Sequence, residues 1–187
     1  GVVGCLIARL AGRLPGCAVQ LVDVDPRREA IAHRLGVRFA LPERADGEQD
    51  RVIHASGSPV GLATALGLAG FEATVVEASW FGARPVSLPL GEAFHSQRLA
   101  IQSSQVGHIA AAQRGRWDHR RRMATVMELL DDPALDALIS GESLFADLPR
   151  VMAELSANPN GALCQRIVYP SAGEWGAHPE GNGDEFH

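Results

Sequence analysis

The chain has no lysine. All 17 of its basic residues are arginine, which reflects coding composition and removes Schiff-base lysine chemistry from consideration. Cysteine is nearly as scarce: Cys5, Cys17 and Cys164 stand far apart and form no C-x-x-C pair. That pattern points to a reducing compartment and offers no cysteine-built zinc cluster from this chain alone. None of the seven histidines (His33, His54, His95, His108, His119, His178, His187) lies at H-x-x-x-H metal-ligand spacing from another. No apolar run reaches the length of a membrane span, and no charged-then-apolar leader is seen, so the expected setting is cytoplasmic with no membrane partner. Net charge is −5, so no global basic field exists to attract nucleic acid.

What is present is an ordinary soluble composition, 46% apolar and 21% charged. Its 187 residues suffice for one domain with a full core, or one domain and part of another. The opening "GVVGCLIARLAGRLPGCAVQLVDVD" carries a glycine turn at Gly1 and Gly4, then a helix pattern over Cys5 to Ala11 with Gly12 as its stop. A buried strand follows over Cys17 to Val22 and ends at Asp23, 19 residues after Gly4. Glycine turn, helix, strand and acid, in that order, are what a dinucleotide-binding unit requires. The glycines let backbone approach a pyrophosphate, and the helix N-terminus offers it free N–H groups and a positive dipole end. The acid accepts from the adenosine ribose hydroxyls and repels a 2′-phosphate, so Asp23 favours NAD(H) over NADP(H). Arg27 and Arg28 stand close enough to soften that preference, and Arg28 is expected beside the adenosine. The full fingerprint is G-x-G-x-x-G after a strand; here only G-x-x-G is present and no strand precedes it. A generic α/β crossover without a ligand remains the alternative on these residues alone.

The alternation continues. "PRREAIAHRLGVRFAL" reads as an amphipathic helix, Gly36, and a short strand at Val37 to Leu41, followed by the polar loop "PERADGEQ". "DRVIHASGS" gives a strand over Val52 to Ala55, with Ser58-Pro59 opening a helix from Val60 to Ala69 that Gly70 stops. "EATVVEASWFG" and "RLAIQSSQVG" are further strands, the first turning at Gly82. Strands alternating with helices predict an α/β fold with a parallel, doubly wound sheet, whose ligands sit at the carboxyl ends of the strands. Asp23, Ala55-Ser56-Gly57, Glu77-Ala78-Ser79 and Ser103-Ser104 would share that edge, unless the small residues are only turn formers.

The runs G-V-V-G, V-D-V-D-P-R-R, "DRVIHASGSPVGLATALGLAGFEATVVEASWFG" and "LCQRIVY" resemble the carboxyl-terminal half of medium-chain dehydrogenases, the zinc-type alcohol dehydrogenase superfamily, over residues 1 to 169. "SWFGARPVSLPLGEAFHSQRLAIQSSQVGHI" and W-D-H-R-R-R are similar to the branch that includes bacteriochlorophyllide-type hydroxyethyl dehydrogenases. The resemblance implies a Rossmann-type sheet lacking its first strand over residues 1–104, then a return segment over 105–169 toward an absent GroES-like domain, then a disordered tail over 170–187. It places Gly1, Val2, Val3 and Gly4 at the pyrophosphate, Asp23 at the ribose, Arg28 along the adenosine, Ala55, Ser56 and Gly57 in the loop near the cofactor, and Ser103 and Ser104 near the nicotinamide. Neither Gln165 nor Arg166 is assigned the late pyrophosphate arginine of some members. It implies NAD(H)-dependent hydride transfer between an alcohol and a ketone or aldehyde. Zinc would be held by ligands outside this chain, and the full-length protein would be a homo-oligomer. Catalytic residues are not assigned here, and the chain alone is expected to be inactive and destabilised by its unpaired sheet position. The competing readings are a noncatalytic dinucleotide-binding module, a subunit completed by a separate chain, and another Rossmann enzyme such as a methyltransferase.

Within the rest of the chain, His54 lies inside a strand and reads as a satisfied core histidine, whereas His95 could line a substrate cleft. Glu77 ends a strand without a visible partner. The five arginines from Arg114 to Arg122 read as a solvated or interdomain face, with Asp118 as a helix cap. "DDP" ends the helix through Leu130, and Ala134 to Ser140 forms a short element. Glu142 to Asp147 reads as loop and cap, and the following helix carries Leu148, Val151, Met152 and Leu155 on one face.

Overall fold

The computed structural model describes residues 1–159 and 161–170; the tail expected to be disordered, with His178 and His187, lies from residue 171 onward outside the described residues. Two compact units are distinguished, residues 1–138 and 139–187.

In the first unit, α1 spans Val2–Gly12, β1 Gln20–Val22, α2 Arg28–Arg34, β2 Arg38–Ala40, β3 Gln49–His54, α3 Pro59–Leu68, β4 Ala69–Glu77, α4 Ala93–Ser96, β5 Ala100–Ser103 and α5 His119–Leu130. All strand pairs are parallel: β1 with β2, and β3–β4–β5 in that order. These two groups correspond to the flanks of a doubly wound sheet of order 3-2-1-4-5-6, and no described strand hydrogen-bonds β1 to β3.

α1 begins three residues earlier than its apolar periodicity suggests and includes Gly12. Gly12 is a packing position rather than a stop, because a Cβ there would meet Val37 Cγ1 at 2.9 Å. The chain reverses instead at Gly16, whose φ of +80° is open to glycine without strain. Cys5 and Ala8, one turn apart, form the buried stripe of α1. Burial pushes the Cys5 thiol pKa up.

The main core lies under α3. Leu62, Ala65 and Leu66 recur at helical spacing and pack with Ala69, Ala73, Val75 and Leu99 from β4 and its surroundings. Gly70 does not stop α3. The helix ends at Leu68, the chain enters β4 directly, and a Cβ at Gly70 would stand 3.0 Å from the Glu48 backbone. Pairing with β3 then jumps from Gln49↔Ala69 to Arg51↔Thr74, and within this irregular stretch Glu72 takes a φ of 58° while its N–H donates to Gln97 O at 2.8 Å.

Asp132 ties the segment after α5 to α1. Arg9 donates to both carboxylate oxygens, at 2.8 and 3.2 Å, Arg13 lies at 3.4 Å, and the Ala134 N–H donates at 3.1 Å. The Arg9 guanidinium, more than any other group, holds the Asp132 carboxyl below the ordinary carboxylate range. A carboxyl with a depressed folded pKa contributes stability that is present above its unfolded value, about 3.9, and is lost as pH falls through the folded one. Asp132→Asn is therefore expected to melt below the parent protein at pH 7, with the gap closing as melting is repeated down to pH 3. A gap that stays constant with pH would refute this.

α5 starts where expected: the Asp118 side chain caps it, accepting from the Arg121 N–H at 2.7 Å. Arg114, Arg116, Arg120 and Arg121 are exposed, as a solvated face requires, and the cluster also ties its loop. Arg114, Arg121 and Arg122 donate to the carbonyls of Ile109, Arg116 and His108, and Arg121 stacks over Trp117 at 4.4 Å.

In the second unit, β6 (Ile139–Leu144), α6 (Leu148–Ala157) and β7 (Cys164–Val168) are joined by the parallel β6–β7 pair. Glu142 to Leu144 thus belongs to a strand, not a loop, because its backbone is paired to β7 and Glu142 faces Arg166 in an ion pair. On α6, Val151 is buried and Leu155 half-buried, but Met152 is 58% exposed and falls off the expected apolar face.

Candidate functional site

Because the strands are parallel, their carboxyl ends lie on common edges. β1 delivers Asp23, β3 delivers Ala55, Ser56 and Gly57, β4 ends at Glu77, and β5 ends at Ser103. The opening glycines reach the same region. The Gly1 nitrogen is 3.4 Å from Asp23 Oδ2, and a Cβ on Gly4 would stand 4.0 Å from Ala55 Cβ. Gly1 and Gly4, Asp23 and Ala55 are therefore brought together from three stretches of the chain.

The end of α1 is left open. Its first helical bond runs from the Cys5 N–H to Gly1 O at 3.1 Å, so the N–H groups of Val2, Val3 and Gly4 precede the helical ladder. Gly1, the N-cap, gives no side-chain cap, and the first turn carries no acid. By contrast, α3 is capped by Ser58, which accepts from the Gly61 N–H at 3.4 Å; the Ser58-Pro59 start was legible in the sequence. A Cβ built on Gly1 would meet nothing within 4 Å. This combination of free N–H groups, dipole end and open approach suits an anionic group.

Asp23 is partly buried and preorganised: its Oδ1 accepts from the Asp25 N–H at 3.0 Å. Asp25 in turn engages Arg27 at 2.8 Å and Arg28 at 3.7 Å. The Arg27 hydrogen bond, first among the causes, holds the Asp25 carboxyl low. Both nearby arginines thus face a carboxylate, which blunts their ability to offset the charge of Asp23.

Sequence reasoning missed the partner of Glu77. It is His54, its register partner across β3 and β4, with Nδ1 at 2.7 Å from Glu77 Oε2. His54 is 6% exposed, stacks on Phe81, and places Nε2 at 2.6 Å from Ser56 Oγ. It is a satisfied buried histidine, as expected, but its partners belong to the site edge. Ser79 adds a second tie: its N–H donates to Glu77 Oε1 at 2.6 Å, and its Oγ accepts from the Gly57 N–H at 2.9 Å. The available signal was two polar residues, His54 and Glu77, each closing its strand after a short apolar run, Val52-Ile53 and Val75-Val76.

Ser103 and Ser104 are exposed at the end of β5, where the Ser104 N–H donates to Glu77 O at 2.8 Å. His95 is exposed on α4. Among the described residues, no group of three or more His, Cys, Asp or Glu side chains is placed to hold a metal ion. Among them, too, no helix is long and apolar enough to cross a membrane.

These sheets define a Rossmann-type, doubly wound α/β fold. Solved dehydrogenases share it. L-Idonate 5-dehydrogenase from Escherichia coli superposes with a TM-score of 0.70 at 19% identity, over 90% of this chain and 47% of that one. Alcohol dehydrogenase from Thermus sp. ATN1 gives 0.69 at 20% identity, over 91% and 49%. A short chain alcohol dehydrogenase from Escherichia coli, complexed with NADH, gives 0.66 at 16%, over 90% and 49%. The chain spans about half the length of these proteins, in keeping with the half-molecule resemblance read from the sequence. No protein-family model matches the sequence, and no curated protein matches it.

Proposed function

We propose that the chain is the NAD(H)-binding half of an alcohol dehydrogenase-like oxidoreductase, moving hydride between an alcohol carbon and nicotinamide. The observation that carries this reading is the convergence of the uncapped α1 N-terminus, Asp23 and the Ala55–Gly57 loop at one carboxyl edge. The fold it shares with an NADH-complexed dehydrogenase supports it. Gly1 to Gly4 would hold the pyrophosphate through backbone N–H groups, and Asp23 would accept from the adenosine ribose. Arg28 would lie along the adenosine, and Ala55, Ser56, Gly57, Ser103 and Ser104 would border the second nucleoside. The cofactor, when bound, supplies the hydride acceptor. Substrates would be small alcohols and their ketones or aldehydes.

The described residues do not assemble a zinc site. In this reading zinc would be held by ligands outside this chain.

The test is an equilibrium titration of the native gene product with NADH, NADPH and S-adenosylmethionine, followed by nicotinamide fluorescence and calorimetry. NADH is expected to bind at least tenfold more tightly than NADPH, because a 2′-phosphate beside Asp23 meets a like charge and loses an acceptor. Binding of S-adenosylmethionine without NADH would replace this reading with a methyltransferase one.

A further inference from the structure

With Glu77 ionised and His54 neutral, the hydrogen bonds around His54 set which way the Ser56 hydroxyl points. An ionised Glu77 carboxylate only accepts, so at 2.7 Å from it His54 Nδ1 is the donor. In the neutral imidazole Nε2 is then an acceptor, and the partner 2.6 Å away, Ser56 Oγ, must donate to it. A serine hydroxyl has one proton and two lone pairs. The proton goes inward to His54, and one lone pair accepts from the Ser58 N–H at 3.2 Å. The second lone pair has no partner among the described residues, and Ser56 as a residue is exposed.

We propose that His54 and Glu77 are positioning residues that hold Ser56 as a hydrogen-bond acceptor for a hydroxyl group of the bound ligand. The ligand class is a ribose, and the inference rests on the dinucleotide reading above. Asp23 and Gly1 occupy the β1–β2 flank, which takes the adenosine half, whereas Ser56 follows β3 on the other flank. The ribose at Ser56 is thus that of the second nucleoside. On its inner side the hydroxyl is closely framed. Glu77 also accepts from the Ser79 N–H, and the Ser79 hydroxyl oxygen fastens Gly57. α3 approaches so closely that a Cβ on Gly61 would fall 2.5 Å from Ser56 Oγ and 2.9 Å from His54 Nε2. No side chain other than glycine leaves room for this arrangement at position 61 without moving it.

The experiment measures dissociation constants of NADH and ADP for the native gene product and for Ser56→Ala, Ser56→Thr, His54→Gln and the Ser56→Ala/His54→Gln double variant. ADP carries only the adenosine half and reports the other flank. Ser56→Ala is expected to weaken NADH about five- to tenfold, to leave ADP within about twofold, and to be rescued in Ser56→Thr, which keeps the hydroxyl. His54→Gln is expected to weaken NADH to a similar extent, and the double variant no further, because His54 acts through Ser56. Unchanged NADH affinity in Ser56→Ala overturns the proposal, as do losses that multiply in the double variant or an equal loss of ADP. If His54→Gln does not fold, the Ala and Thr variants of exposed Ser56 decide alone. A parent protein that binds neither NADH nor ADP overturns the dinucleotide reading itself, a result distinct from the others.

Discussion

Asp23→Asn is expected to raise the NADH dissociation constant by about tenfold and to erase most of the discrimination against NADPH. A hydrogen bond to a charged acceptor contributes about 1.5–3 kcal/mol, and tenfold corresponds to about 1.4 kcal/mol. The asparagine substitution is chosen over alanine for a structural reason. Asp23 Oδ1 closes a turn by accepting from the Asp25 N–H, and an amide oxygen can still do so. The change therefore removes charge while sparing the loop. NADPH affinity is expected to rise or hold as NADH affinity falls, since the like-charge penalty disappears with the carboxylate. Arg27 and Arg28 do not already supply this compensation, because Asp25 stands against both. Parallel titrations with the two cofactors, plus a melting curve to confirm the fold, settle the matter. Equal loss for both cofactors would place Asp23 in the architecture and not at the ribose.

The parts of this site that depend on chain order were legible in the sequence, and those that depend on register were not. Asp23 stands at a strand end because a glycine turn, one helix and one strand consume a nearly constant length, so spacing alone located it. Ser58-Pro59 and Asp118 announced helix starts because capping is a local transaction between a side chain and an N–H two or three residues on. The His54–Glu77 pair lies 23 residues apart and exists only because β3 and β4 align these two positions. No local rule carries that alignment. β6 escaped for a related reason: "ISGESL" has Gly, Ser and Glu where strand-formers are usual, and its pairing with β7 gives it its order. Gly70 misled in the opposite direction. Glycine after an apolar helix ordinarily signals its end, but here it admits the Glu48 backbone at close range at the start of a strand.

Leu66→Ala is expected to be the most destabilising single truncation in the first unit. Leu66 is 2% exposed in the cluster joining α3 to β4, where Val75 is fully buried. Removing its side chain forfeits the transfer free energy and leaves a cavity, a loss of about 2–5 kcal/mol. Val60→Ala, on the same helix but 76% exposed, is the natural comparison and should change stability by less than about 0.5 kcal/mol. Chemical denaturation with circular dichroism compares the two; a Leu66→Ala loss below about 1 kcal/mol would show that the core under α3 is not packed as described. The consequence extends to the site, because α3 is not only a cover for the sheet. Its first turn carries the Ser58 cap and the Gly61 contact with His54 and Ser56. Loosening the helix should therefore weaken NADH more than ADP, since the Ser56 loop follows β3 while the adenosine-side groups Asp23 and Gly1 sit on the other flank. Equal weakening of both ligands would mean that the two flanks of the sheet respond to this core as one.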